Sequence, residues 1–157
     1  MILADKNDLK NGYRKHYSAY KILNSRNSQV VISKRLLLAY SVECGLKYKL
    51  LDEWKINSAK QIREIYQNKQ HPKHAILGSH DLKKIIKELG QEGNFEFPRL
   101  KTIHSDNINV EEFHQMQRYG IAPDSNNISK TEDFEIVLRK IAEWIEAVSY
   151  THLRAHE

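Results

Sequence analysis

The chain has 157 residues, 25 Lys/Arg against 20 Asp/Glu, a formal charge of +5 and one cysteine. It has no apolar run of membrane-spanning length, its start (MILADKND) lacks the apolar stretch of a signal peptide, and a lone Cys44 excludes an internal disulfide; a cytoplasmic protein is the expectation. The charge is unevenly spread: residues 1–90 hold 18 Lys/Arg and 8 Asp/Glu, net +10, whereas residues 91–147 hold 6 and 11, net −5. A basic half of this kind suits a phosphate backbone or an acidic partner as well as a solvated helix surface.

Taken in chain order, the apolar spacing predicts six helical segments and no strand of any length. The first, about 8–26, carries Leu9, Tyr13, Tyr17, Tyr20 and Leu23 inward. Its tyrosines alternate with Lys10, Arg14, Lys15 and Lys21, a pattern that also suits base stacking, although core packing is the favoured reading. The second, about 30–54, is apolar almost all round, as expected of a central helix. Ile32, Leu36, Ala39, Glu43, Leu46 and Leu50 share one of its faces, so Glu43 is expected to be at least half buried and to have a partner beyond the nearby Lys47. Ser58 and Gln61 form a capping-box pattern that opens a third helix, which His71-Pro72 ends. Ser79 is expected to cap a fourth over 79–89, with Asp81 at the positive end of its dipole and Leu82, Ile85, Ile86 and Leu89 inward. Asn109 to Glu112 starts a short fifth, and a sixth begins near Thr131, with Glu132, Asp133 and Glu135 in its acidic first turns. The expected fold is an all-α compact bundle of about five to six helices in a single domain over residues 1–147.

The last ten residues, VSYTHLRAHE, can be encoded without mismatch by the adapter used in transposon-based DNA library preparation. Residues 148–157 are therefore expected to be a translated adapter tail that makes no specific packing contacts, and the native chain to run on past Ala147.

The helix LLLAYSVECGLKYKLL, then Ser79-His80-Asp81-Leu82, then Arg118-Tyr119-Gly120 resemble, in that order, the HEPN family, small helical domains of prokaryotic toxin–antitoxin and defence systems. Glu43 and Lys47 match the family's Glu-x-x-x-Lys, His80-Asp81-Leu82 its His-Asp-Leu, and Arg118-Tyr119 an Arg-Tyr that many members carry. The resemblance implies a homodimer that handles RNA or nucleotides, often beside a nucleotidyltransferase partner. It departs at one point. Ribonuclease members carry an arginine, four to six intervening residues and then a histidine, and Arg118 is followed at those spacings by Pro123, Asp124 and Ser125. Arg99 and His104 match the spacing, but they sit just after Pro98 in a connection between helices.

The sharpest candidate set is thus Glu43, Lys47, His80, Asp81, Arg118 and Tyr119, as a ligand site or as a polar network that ties three helices together. If it is a network, Glu43→Ala should strand a buried Arg or His at a cost of a few kcal/mol. His71, His74 and His80 fit no zinc spacing, so neither a metal nor a cofactor is implied. Three functions stay open: a catalytically inactive or divergent module that binds RNA, a nucleotide or a partner protein; an active metal-independent ribonuclease using Arg118 with a histidine such as His80; and an interaction protein without ligand. With the family's histidine missing, the purified protein is expected to show little or no ribonuclease activity.

Overall fold

The start of the first helix is fixed by a reciprocal cap. Asp5 accepts from the Asp8 amide at 2.8 Å, and Asp8 accepts from the Asp5 amide at 3.0 Å, so two end donors are satisfied and α1 runs from Lys6 to Asn24. The remaining helices are α2 (Val31–Trp54), α3 (Ala59–Tyr66), α4 (Pro72–Leu77), α5 (Leu82–Glu88), α6 (Phe113–Arg118) and α7 (Ile128–Ala155), with 3-10 turns at Val110–Glu112 and Ser125–Asn127. This computed structural model describes residues 4–26, 30–67, 71–104 and 107–155, and side chains only as far as Val148. Among the described residues the chain is an all-α helical bundle without a β-strand, and no helix is long and apolar enough to cross a membrane.

The described residues form seven α-helices where about five to six were expected, because Pro72 opens a helix rather than closing one. Proline's fixed φ and missing N–H suit the first helical position, and the His71 ring nitrogen accepts from the Lys73 amide at 3.2 Å. The capping-box pattern at Ser58 is half realised. Ser58 accepts from the Gln61 amide at 3.3 Å, but the Gln61 side chain reaches back to the Asn57 amide at 2.5 Å. The cap of α5 also moves. Asp81 accepts from the Lys83 amide, and Ser79 two residues earlier accepts from the Asp81 amide, both at 3.0 Å.

Helix α2 is the axis on which the others pack. Leu38, Val42, Leu46 and Leu50 are buried against Tyr13, Tyr17 and Tyr20 of α1 and Leu138, Ile141, Ala142 and Ile145 of α7. The tyrosines of α1 are therefore core, and two of their hydroxyls find partners inside: Tyr13 donates to the Ala142 carbonyl and Tyr20 to Glu135, both at 2.7 Å. At Gly45 the three helices come closest. A Cβ there would lie 2.7 Å from Ile145 Cδ1 and 2.9 Å from Tyr13 Cδ2. Phe113 of α6 stacks on Phe134 of α7 at 4.1 Å, closing the other end of the core. A smaller cluster of Leu51, Ile56, Ile62 and Leu77 lies under α3 and α4.

The deeply buried carboxylate is Glu135 rather than Glu43. Glu135 is 4% exposed. It accepts from the Tyr20 hydroxyl at 2.7 Å and Arg35 Nε at 2.6 Å, with Lys34 at 3.4 Å and Arg139 at 3.5 Å. Burial works against its charge, but the hydrogen bonds from Arg35 and Tyr20 and the Lys34 and Arg35 charges outweigh that, and its pKa falls below the ordinary carboxylate value. The expected adapter tail lies mostly beyond the described side chains; the backbone of α7 continues through it to Ala155.

Candidate functional site

Tyr40, Glu43 and Lys47 recur at three- and four-residue spacing along α2 and so share a flank of that helix. The turn into α5 brings His80 to this flank, and α6 presents His114 and Arg118 one helical turn apart. Gly120, in the left-handed region at φ 64°, ends α6 directly after Arg118 and Tyr119.

Two contacts fix the cluster. His80 Nδ1 lies 2.8 Å from Glu43 Oε1, and Arg118 Nη2 donates to the Tyr40 hydroxyl at 2.6 Å. An ionised carboxylate only accepts, so His80 donates through Nδ1 and its Nε2 stays available. Lys47 sits 3.7 Å from the other oxygen of Glu43. The His114 ring lies between these contacts, with centroids 5.8 Å from His80 and 6.1 Å from Tyr40, and His16 of α1 flanks Tyr40 at 6.1 Å.

Below the polar rim is an apolar floor that includes Ala39, Leu82, Val110, Phe113 and Leu138, and the hollow itself measures about 10 Å³. That is room for roughly one water, so a ligand here would be held at the rim rather than enclosed. Burial lowers the His114 pKa below the usual imidazole value, and the Arg118 and His80 charges act in the same direction against Glu43 and a backbone hydrogen bond with Glu111. Arg118 is fully exposed, and its hydrogen bond to the Tyr40 hydroxyl raises its pKa further. Among the described residues no carboxylate lies within ion-pair distance of its guanidinium.

The expected set is thus brought together in part. Glu43 reaches His80, as expected, with its side chain 22% exposed, but it does not hold Arg118, which turns to Tyr40 instead. Lys47 stays a loose partner of Glu43. Asp81 spends its carboxylate on the Lys83 amide at the start of α5, and Tyr119 is 69% exposed beside Arg118. Tyr40 and His114 were missed. The available signal for His114 was its i,i+4 spacing to Arg118, which puts both on one face of a helix but in the reverse of the order sought downstream of the arginine. Among the described residues no group of three or more His, Cys, Asp or Glu side chains is arranged to hold a metal ion.

Fold and site together define a helical bundle that displays two histidines and an uncompensated arginine over a shallow apolar floor. No protein-family model, no curated protein and no solved structure matches the chain.

Proposed function

We propose that this chain is a HEPN-like module that binds RNA or a nucleotide through phosphate contacts at the Arg118, His114 and His80 cluster, within a prokaryotic toxin–antitoxin or defence system. The observation that carries the reading is the Arg118 guanidinium: exposed, oriented by the Tyr40 hydroxyl and one helical turn from His114, it keeps its charge and free N–H groups for an anion. The resemblance extends the proposal to a homodimer and to a nucleotidyltransferase partner. Fluorescence anisotropy with a labelled single-stranded RNA tests it. Binding should weaken as salt rises and fall about tenfold in Arg118→Ala, the loss expected for one charge-assisted contact. An affinity identical in wild type and Arg118→Ala would refute the assignment.

One observation favours a second reading, an active metal-independent ribonuclease. Glu43 orients His80 with Nε2 free, and His114 beside it is held toward its neutral form, so two proton carriers stand near a phosphate-binding cation. Incubating generic RNA with the protein and a chelator separates the readings. The binding module leaves the RNA intact. Cleavage abolished by His80→Ala or Arg118→Ala would establish the ribonuclease, and cleavage abolished by Arg99→Ala or His104→Ala would move the site to the connection before α6.

A further inference from the structure

Tyr48 of α2 gathers an unusual amount of positive charge. The ammoniums of Lys6, Lys10 and Lys49 lie 5.7, 5.6 and 6.0 Å from its ring centroid. Lys6 and Lys10 are one turn apart on α1, where like charges repel, and Lys6 and Lys49 converge on a single carboxylate, Asp52, at 2.5 and 3.9 Å. Arg14, a further turn along α1, also acts on the Tyr48 hydroxyl, and Glu53 acts on Lys49. Among the described residues, three ammoniums around this ring thus share one carboxylate, Asp52, within ion-pair distance.

Lys49 is the telling member. Its side chain is only 10% exposed, and its ammonium makes no hydrogen bond within 3.5 Å among the described residues, only the loose pair with Asp52. A desolvated ammonium with three N–H donors and so weak a partner is costly, and a bound anion would relieve it. Burial already lowers the Lys49 pKa, and Lys6 adds to that, which an anion would reverse.

We infer that the α1–α2 edge around Tyr48 is a second anion site, in which Lys6, Lys10 and Lys49 hold a doubly charged phosphate group. The excess of two positive charges matches a phosphate monoester or free phosphate better than the single charge of a backbone phosphodiester. The site lies farther along the α1–α2 pair than the His114 cluster: His16 faces Tyr40, whereas Lys6 and Lys10 face Tyr48, two turns later on α2. It gives the basic half of the chain a defined place of action.

The test is an NMR titration with inorganic phosphate at neutral pH, with ionic strength held constant by chloride, that follows the Tyr48 ring. The expected result is a saturable shift whose affinity falls about tenfold in Lys10→Gln and in Lys49→Met but is unchanged in Arg118→Ala. Lys10 is only half-buried on a helix surface, so its variant carries the test even if Lys49→Met folds poorly. Competition with an RNA oligomer separates the sources: displacement only when it bears a 5′-phosphate supports a terminal phosphate as the ligand, and equal displacement by the 5′-hydroxyl form overturns that choice in favour of the backbone. A Tyr48 ring that does not respond, or equal affinity in Lys10→Gln and wild type, would overturn the site. Phosphate binding lost only in Arg118→Ala would overturn it too, while leaving the Arg118 reading intact.

Discussion

Replacing Glu135 by alanine removes the only buried carboxylate among the described residues, which joins α1, α2 and α7. The Tyr20 hydroxyl, on a residue only 1% exposed, then loses its acceptor, which costs about 1–3 kcal/mol for an unsatisfied buried group. Arg35, Lys34 and Arg139 are left facing one another; Lys34 keeps the Asn24 side-chain oxygen at 2.9 Å and Arg139 keeps the Tyr20 hydroxyl, whereas Arg35 has no other hydrogen-bond acceptor among the described residues. Breaking a buried pair from one side costs about 3–5 kcal/mol in all. At roughly 2–4 °C per kcal/mol for a chain of this size, the melting temperature should drop by on the order of 10 °C. Glu135→Gln, which keeps an acceptor and loses the charge, should fall between the two. Thermal and urea unfolding followed by circular dichroism measure this directly. The same carboxylate sets an acid limb. Its folded pKa is below the ordinary value of 4.5, so its stabilisation is fully present above that value and is lost as pH falls through the folded pKa. Glu135→Gln should therefore flatten the loss of stability below about pH 4.5. A Glu135→Ala melt superimposable on that of wild type would refute the assignment of this network as the bundle's central tie.

Glu43→Ala should cost about 1–2 kcal/mol, because His80, 64% exposed, returns to water while Lys47, 12% exposed, loses its carboxylate; this is less than the few kcal/mol expected for stranding a buried Arg or His, and a loss above about 3 kcal/mol in the same melts would restore that view. Gly45→Ala should destabilise by about 1–3 kcal/mol through overpacking against Ile145 and Tyr13, measured by urea unfolding, and an unchanged midpoint would mean that the three helices separate easily. His114 has a folded pKa below the usual imidazole value, so the stability it contributes is present above the unfolded value of 6.5 and declines as pH falls through the folded one. Melts of wild type and His114→Gln between neutral and mildly acid pH should accordingly converge, and parallel curves would count against its partial burial.

What the sequence determined by itself was local and periodic. Leu38, Val42, Leu46 and Leu50, and Leu82, Ile85 and Ile86, repeat at helical spacing, and Gly90 and Gly120 mark where helices stop, because helix formation and termination depend on residues within a few positions of each other. An all-α bundle and the contact between Glu43 and His80 were legible at that range, the latter only through the ordered motifs. Tertiary structure decided which carboxylate is deeply buried. Thr131, Phe134, Glu135 and Leu138 do follow the buried spacing of α7, but an acidic first stretch of a helix reads equally well as a complement to its dipole. The partners that set Glu135 apart, Tyr20 and Arg35, are 115 and 100 residues away in sequence. The same holds for Arg118, which finds Tyr40 across 78 residues, and for the three lysines that surround Tyr48. A side chain's charge can be read from its identity; whether it is compensated depends on which helices pack together, and that is fixed only when the whole apolar core closes.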